Sequence, residues 1–264
     1  MTWLQRAAWL WLGFVILFSL VIGLFYSEQV FATNISEVLQ KPSLFKPFGT
    51  DTLGRNLFLR TFDAAKLSLG LGVASSFLAA VLGSMVGAWS AIKSASYGHA
   101  LMRAIEIYAS LPNLVLMAVL FVFFSAKFPT FPVAPLLAVT VALATWPTFA
   151  RMARNTLSQE LAKPYIEAAR SVGAGSIRIL FFHLWPNFKP MLLLTWGLQV
   201  PNFLLFEGSL SFLGFGVQPA QTSWGLLLQE GWKTLSSHPH MMLGPSLVLW
   251  LTVFSANLLA NRQR

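Results

Sequence analysis

From Leu67 to Ile92 the chain carries no charged residue at all. About 20 consecutive apolar residues are enough for a helix to cross the ~30 Å hydrocarbon core of a bilayer, and a soluble domain has no interior large enough to hide such a run. Five further runs share this character: Ala7 to Phe25, Ala104 to Ser125, Pro132 to Ala150, Pro190 to Phe206 and Leu243 to Ala260. The run from Ala104 contains one carboxylate, Glu106. Apolar residues follow one another instead of alternating, which points to helices and away from a transmembrane β-barrel. The expected fold is an all-α integral membrane protein with six transmembrane helices. Composition agrees, with 10% charged residues against about 25% in soluble domains. The first run is too long for a signal peptide, and no small-x-small site follows at Tyr26-Ser27-Glu28, so it is expected to stay as a helix.

Lysine and arginine in short loops set the orientation of such a chain. The segment between the fourth and fifth runs holds Arg151, Arg154, Lys163, Arg170, Arg178 and Lys189 against only Glu160 and Glu167. Cations in the opposite loops are offset by Glu28, Glu37, Asp51, Asp63 and Glu230. Both termini are therefore expected in the cytoplasm. The net charge of +9 lies beside membrane spans, where anionic lipid accounts for it, so nucleic acid is not expected as a partner. With no cysteine, the chain has neither a disulfide framework nor a thiolate metal site.

The expected organisation is an N-terminal transmembrane helix and outer segment over 1–66, then a transmembrane domain over 67–264 with a cytoplasmic loop over 152–189. In the outer segment, Lys41-Pro42, Lys46-Pro47 and Gly49 mark turns, and the stretch after Asn56 predicts a short helix on the outer face. Gly83-x3-Gly87 allows close helix approach, either within the chain or to another subunit. In the cytoplasmic loop a break is expected at Lys163-Pro164, a helix from Tyr165 to Val172, a turn at Gly173-Ala174-Gly175 and a second helix from Ser176. Pro186 is expected to stop that second helix before the fifth span. Glu106, one turn after Arg103, is expected to pair with it. Glu207 is expected to close the fifth span at the outer face.

No G-x-x-x-x-G-K-[ST] phosphate loop and no H-E-x-x-H occur, so the chain is not expected to hydrolyse ATP or to hold a catalytic zinc. His238 and His240 alone leave a metal site incomplete, and no metal ligand is assigned. In the cytoplasmic loop, Ala168 and Ala169 are small enough for a partner surface to come close. Gly173 relaxes the backbone where two short helices meet at an angle. Arg170 and Arg178 suit acidic partner residues or lipid headgroups.

Glu167-Ala168-Ala169-x3-Gly173, followed by His183-x2-Pro186-Asn187, resembles the EAA loop of ABC-importer permeases in its peptide/nickel branch. Gly49-Thr50-Asp51-x-Leu53-Gly54-Arg55 resembles that branch's GTDxLGRD element. The segment from Glu207 to Pro219, with Leu210-Ser211-Phe212-Leu213-Gly214, resembles its E-x-LSFLGLG-x-x-P element, and Ser223-Trp224-Gly225 follows. Asn56 stands where an Asp is usual, Leu59 where a Ser is usual, Lys66 where an Arg is usual, and Trp185 and Ala220 also depart from the pattern.

The resemblance implies a divergent second-permease (C-type) subunit with the type I ABC importer fold, multi-pass in a bacterial plasma (inner) membrane and not itself catalytic. It implies a related second permease, two ATP-binding subunits that hold ATP and Mg, and an extracytoplasmic substrate-binding protein. Tyr165, Glu167, Ala168, Ala169, Arg170, Gly173, Arg178, His183, Pro186 and Asn187 would then couple to the ATPase. Asp51, Gly54, Arg55, Glu207, Ser211, Phe212 and Gly214 would shape the outer face or a gate. The cargo stays open between peptides, nickel or another metal chelate, and polyamines, with export as a further possibility. An ion-coupled secondary transporter predicts midplane ionisable residues and inverted repeats, which the sequence does not display.

Overall fold

The computed structural model describes residues 2–93, 95–217 and 221–260, and α-helices form nearly all of its regular structure. Helix α1 (Trp3–Phe25) opens with a capping box between Thr2 and Gln5. A short α2 (Ser27–Phe31) and a largely irregular segment over 32–56 lead to α3 (Leu57–Ile92). At 36 residues, α3 is the post around which the chain packs, touching α1, α6, α7 and α10. The separate outer helix expected after Asn56 is instead the first turns of α3. Asn56 caps α3 by accepting from the N–H groups of Phe58 and Leu59, and no turn residue interrupts the chain before Leu67. Asn and Asp cap equally well, so this departure from the family pattern keeps the cap.

Gly83 and Gly87 face α7. A Cβ on Gly83 would lie 2.3 Å from the Trp146 carbonyl oxygen, and one on Gly87 would lie 2.3 Å from that of Ala150. This pair therefore serves packing within the chain. The third and fourth apolar runs are not single helices. Helices α4 (Ala95–Ala109) and α5 (Asn113–Lys127) meet at 88°, because Pro112 cannot continue the ladder. Helices α6 (Val133–Thr145) and α7 (Pro147–Leu161) meet at 49° across Trp146, ahead of Pro147. Arg103 and Glu106 are both exposed on α4, and no ion pair joins them among the described residues, since both can be solvated at lower entropic cost.

After α8 (Pro164–Ser171) and the single turn α9 (Ser176–Ile179) comes a π-helical turn over Leu180–Leu184 that runs straight into α10 (Trp185–Phe212). Pro186 does not stop the helix as expected. It sits in the first turn of α10, where its missing N–H costs least, and Trp185 N–H reaches back to the Leu180 carbonyl in the wider π geometry. Helix α10 continues past Phe206, so Glu207 lies inside it and not at its end. Helices α11 (Trp224–Lys233) and α12 (His240–Ala260) complete the order.

By length and apolarity α1, α3 and α12 can each cross a membrane, and the two bent pairs raise the number to five. At 28 residues α10 is long enough, but Asn187, Lys189, Gln199, Asn202 and Glu207 make it more polar than those spans.

Candidate coupling and outer-face sites

The loop between α7 and α10 is held together by one apolar cluster. Ile166 of α8 is fully buried against Ala153, Leu157, Ile179, Leu184 and Phe188. The rest of α8 faces outward: Glu167, Ala168 and Arg170 are exposed. Lys163 adopts an extended conformation (φ −79°, ψ 143°) before Pro164, as the proline ring requires of its predecessor. Helix α8 ends in a Schellman motif. Gly173 takes φ +83°, its N–H bonds the Arg170 carbonyl at 2.9 Å, and Ala174 N–H bonds the Ala169 carbonyl at 3.0 Å. Nothing lies within 4 Å of a Cβ built on Gly173, so backbone conformation alone demands glycine there.

A polar clasp ties α8 to the base of α10. Tyr165 Oη donates to Glu160 Oε2 at 2.7 Å, and Asn187 Nδ2 donates to Tyr165 Oη at 3.2 Å and to the His183 carbonyl at 2.9 Å. The Tyr165 and His183 rings stack at 6.2 Å. Lys163 Nζ donates to Glu160 Oε1 at 2.5 Å, and this bond holds the Lys163 ammonium above its ordinary pKa. Partial burial, reinforced by the Glu160 carboxylate, raises the Tyr165 phenol, which stays protonated and able to donate. A cleft of 620 Å³ opens beside the clasp, lined by Ala168, Ala169, Val172, Arg178 and His183. Tyr165, His183 and Asn187 are thus brought together, and Pro186 has only its place in the first turn of α10. Glu167 and Arg170 instead point away, with no ion-pair partner among the described residues. Glu160 is the member that sequence reasoning missed; its spacing of five residues from Tyr165 gives no helical signal, because the break at Lys163 intervenes.

Around the start of α3, Asp51 and Arg60 are fully buried and Arg55 nearly so. Asp51 Oδ1 accepts from the N–H groups of Leu53 and Arg55 at 2.8 and 2.9 Å, and Oδ2 accepts from Arg55 Nε at 2.7 Å and Arg60 Nη1 at 2.5 Å. Arg60 also reaches Glu230 of α11 at 2.6 Å. Gly54, at φ +71°, packs on the Asn34 carbonyl so closely that no side chain could replace its hydrogen. Two arginines and two carboxylates therefore neutralise one another at the junction of α3, the segment before it and α11. Arg60 and Glu230 were not foreseen, since they lie 170 positions apart along the chain.

Glu207 is buried, and its Oε1 accepts from Ser211 Oγ at 2.8 Å. Nearby, Trp224 N–H donates to Ser68 Oγ at 3.1 Å, and its indole N–H donates to the Thr61 carbonyl at 2.9 Å, seating α11 on α3. Phe212 meets Trp232 edge to face at 6.1 Å. Gly214, at φ +90°, ends α10 in a second Schellman motif, with Phe215 N–H bonded to the Leu210 carbonyl at 2.9 Å. The outer candidates thus form two groups, one around Asp51 and one around Glu207, and α11 touches both. Pro219 and Ala220 of the second motif lie outside the described residues. His238 and His240 meet edge to face at 5.9 Å, and no cluster of three or more metal-ligating side chains occurs among the described residues.

The sequence profile of the family described as "Binding-protein-dependent transport system inner membrane component" matches residues 79–263. Among similar proteins, the oligopeptide transport system permease protein OppC of Bacillus subtilis is 29% identical over 95% of this chain and 80% of its own length. OppC of Haemophilus influenzae is 29% identical over 96% of this chain and 80% of its own length. The fold is similar to that of a chain from the inward-facing MetNI methionine ABC transporter, with a TM-score of 0.62 and 19% identity, over 76% of this chain and 92% of that one.

Proposed function

The chain belongs to the family of inner membrane components of binding-protein-dependent transport systems, and on that premise we propose that it imports oligopeptides as one of two permeases in a heteromeric complex. It is a non-catalytic membrane subunit of an ABC transporter. The proposal adds a related second permease, two ATP-binding subunits holding ATP and Mg, and a substrate-binding protein that delivers cargo outside. It also counts α10 as a sixth span and places both termini in the cytoplasm, as the loop charges favour. Oligopeptide cargo is supported by the OppC relatives, with nickel or another chelate as the alternative.

The observation that carries the mechanism is the exposed face of α8 clasped to α10 through Tyr165 and Asn187. Glu167, Ala168, Ala169 and Arg170 face a partner, while Ile166 and the clasp hold the same short helix to the membrane bundle. A push on α8 from an ATPase would therefore reach α10 as a movement of its base. Arg178, at the mouth of the cleft, suits an acidic side chain of the ATPase. The groups around Asp51 and Glu207 are assigned to the outer face as anchors for α11, which would close or open the pathway by moving with α10.

Glu167→Lys and Gly173→Asp are expected to abolish uptake of radiolabelled oligopeptides while leaving membrane levels unchanged. Wild-type uptake in either variant would remove the coupling assignment. Uptake of nickel complexes but not of peptides would overturn the cargo.

A further inference from the structure

Two polar features at mid-membrane depth face outward from this chain, where hydrocarbon would leave them unsatisfied. The first is the break between α4 and α5. Tyr108 Oη donates to the Leu143 carbonyl at 2.6 Å, and Leu143 lies ten residues beyond Val133, the start of α6. At 1.5 Å per residue that is about 15 Å, half of the ~30 Å core. Ser110, Leu111 and Pro112, just past Tyr108, are all exposed. No side chain caps α5, so the N–H groups of its first turn project unpartnered from the break.

Along α4, His99, Arg103 and Glu106 fall on one face at helical spacing, Ser110 continues the spacing just past its end, and all four are exposed. His99, Arg103 and Glu106 border an open cleft of 520 Å³. The second feature is on α10. Trp196 Nε1 donates to Ser76 Oγ at 3.0 Å, which sets that level near the middle of the apolar part of α3. One to two turns further, exposed Asn202 donates to Gln199 at 3.0 Å. Exposed broken backbone and exposed amides at such depth occur where they line water or are covered by protein, not where they meet lipid.

We infer that the His99–Ser110 face of α4, the Ser110–Pro112 break and the Gln199–Asn202 pair line the water-filled translocation pathway of this permease. Together these groups offer both charges, an imidazole, a hydroxyl and two amides, which suits a polar, zwitterionic solute and gives no net preference for an anion or a cation. The opposite wall would come from the second permease, and this part rests on the paired-subunit reading above, which copurification tests by itself.

The absence of native cysteine makes the test direct. Single variants Arg103→Cys, Ser110→Cys and Asn202→Cys, with Val119→Cys on the exposed apolar face of α5 as lipid control, would be treated in the assembled transporter with a charged methanethiosulfonate. The reagent needs a thiolate in water, so the three pathway positions should react more than about ten-fold faster than Val119→Cys. Trapping the ATPase with vanadate and ATP should change their rates at least several-fold, because the pathway changes the side to which it opens. Ser110→Cys is nearly isosteric and keeps the test valid should Arg103→Cys fail to insert. Equal rates in both states would place these residues in bulk water, and rates no higher than the Val119→Cys control in either state would place them against lipid or protein. Either result overturns the assignment.

Discussion

Asp51 is wholly buried, and four hydrogen bonds from two backbone N–H groups and two guanidinium groups hold its charge there. Removing the carboxylate would leave Arg60, itself fully buried, facing only Glu230. Asp51→Ala is therefore expected to destabilise the protein by about 3–5 kcal/mol, the usual cost of breaking a buried ion pair from one side. Denaturant unfolding in detergent would measure it, and a loss within the scatter of surface variants would show that water already reaches the site. Gly173 makes the opposite case, since no neighbour constrains it and only φ matters. Gly173→Ala should cost about 1–2 kcal/mol, read as reduced protease protection of the α8 loop with the membrane bundle intact. The same physical rule that makes Gly173 legible in the sequence, a left-handed residue after a helix, makes Gly214 legible too.

At the scale of elements, α8 and α10 are separate helices in chain order but share one clasp. Tyr165→Phe removes both the bond to Glu160 and the acceptor for Asn187. Net worth is about 0.5–1.5 kcal/mol per bond, too little to unfold the loop but enough to loosen α8 from α10. The expected outcome is normal ATPase binding with several-fold fewer peptides moved per ATP hydrolysed, measured in proteoliposomes. Unchanged stoichiometry would show that the apolar contact of Ile166 alone transmits the push. The seam between α3 and α7 offers a firmer test. Gly83→Leu should force the helices apart and cost at least about 1–3 kcal/mol, whereas the same change at Gly70, which has open space around it, should be tolerated. A loss of thermal stability at Gly83 but not at Gly70 checks the pairing.

For the whole molecule, the helical class, the number of apolar runs, the break at Lys163-Pro164 and the extent of α8 could all be read from residue order. They depend on short-range rules: run length, proline, glycine and capping. What could not be read were the bends at Pro112 and Trp146, the passage of the helix through Pro186, and the company that Asp51 and Tyr165 keep. A proline in a membrane helix can end it, bend it or sit harmlessly in a first turn, and only neighbouring helices and the π-helical turn decide which. Arg60 and Glu230 are ordinary charges along the chain until α11 folds back onto α3. The sequence alone determined that this chain spans a membrane and which family it belongs to, because apolar length and sequence motifs are local properties. Tertiary structure alone decided which glycines join helices, which charges neutralise one another and which polar faces are left without a partner, because those depend on residues that meet only once the helices pack.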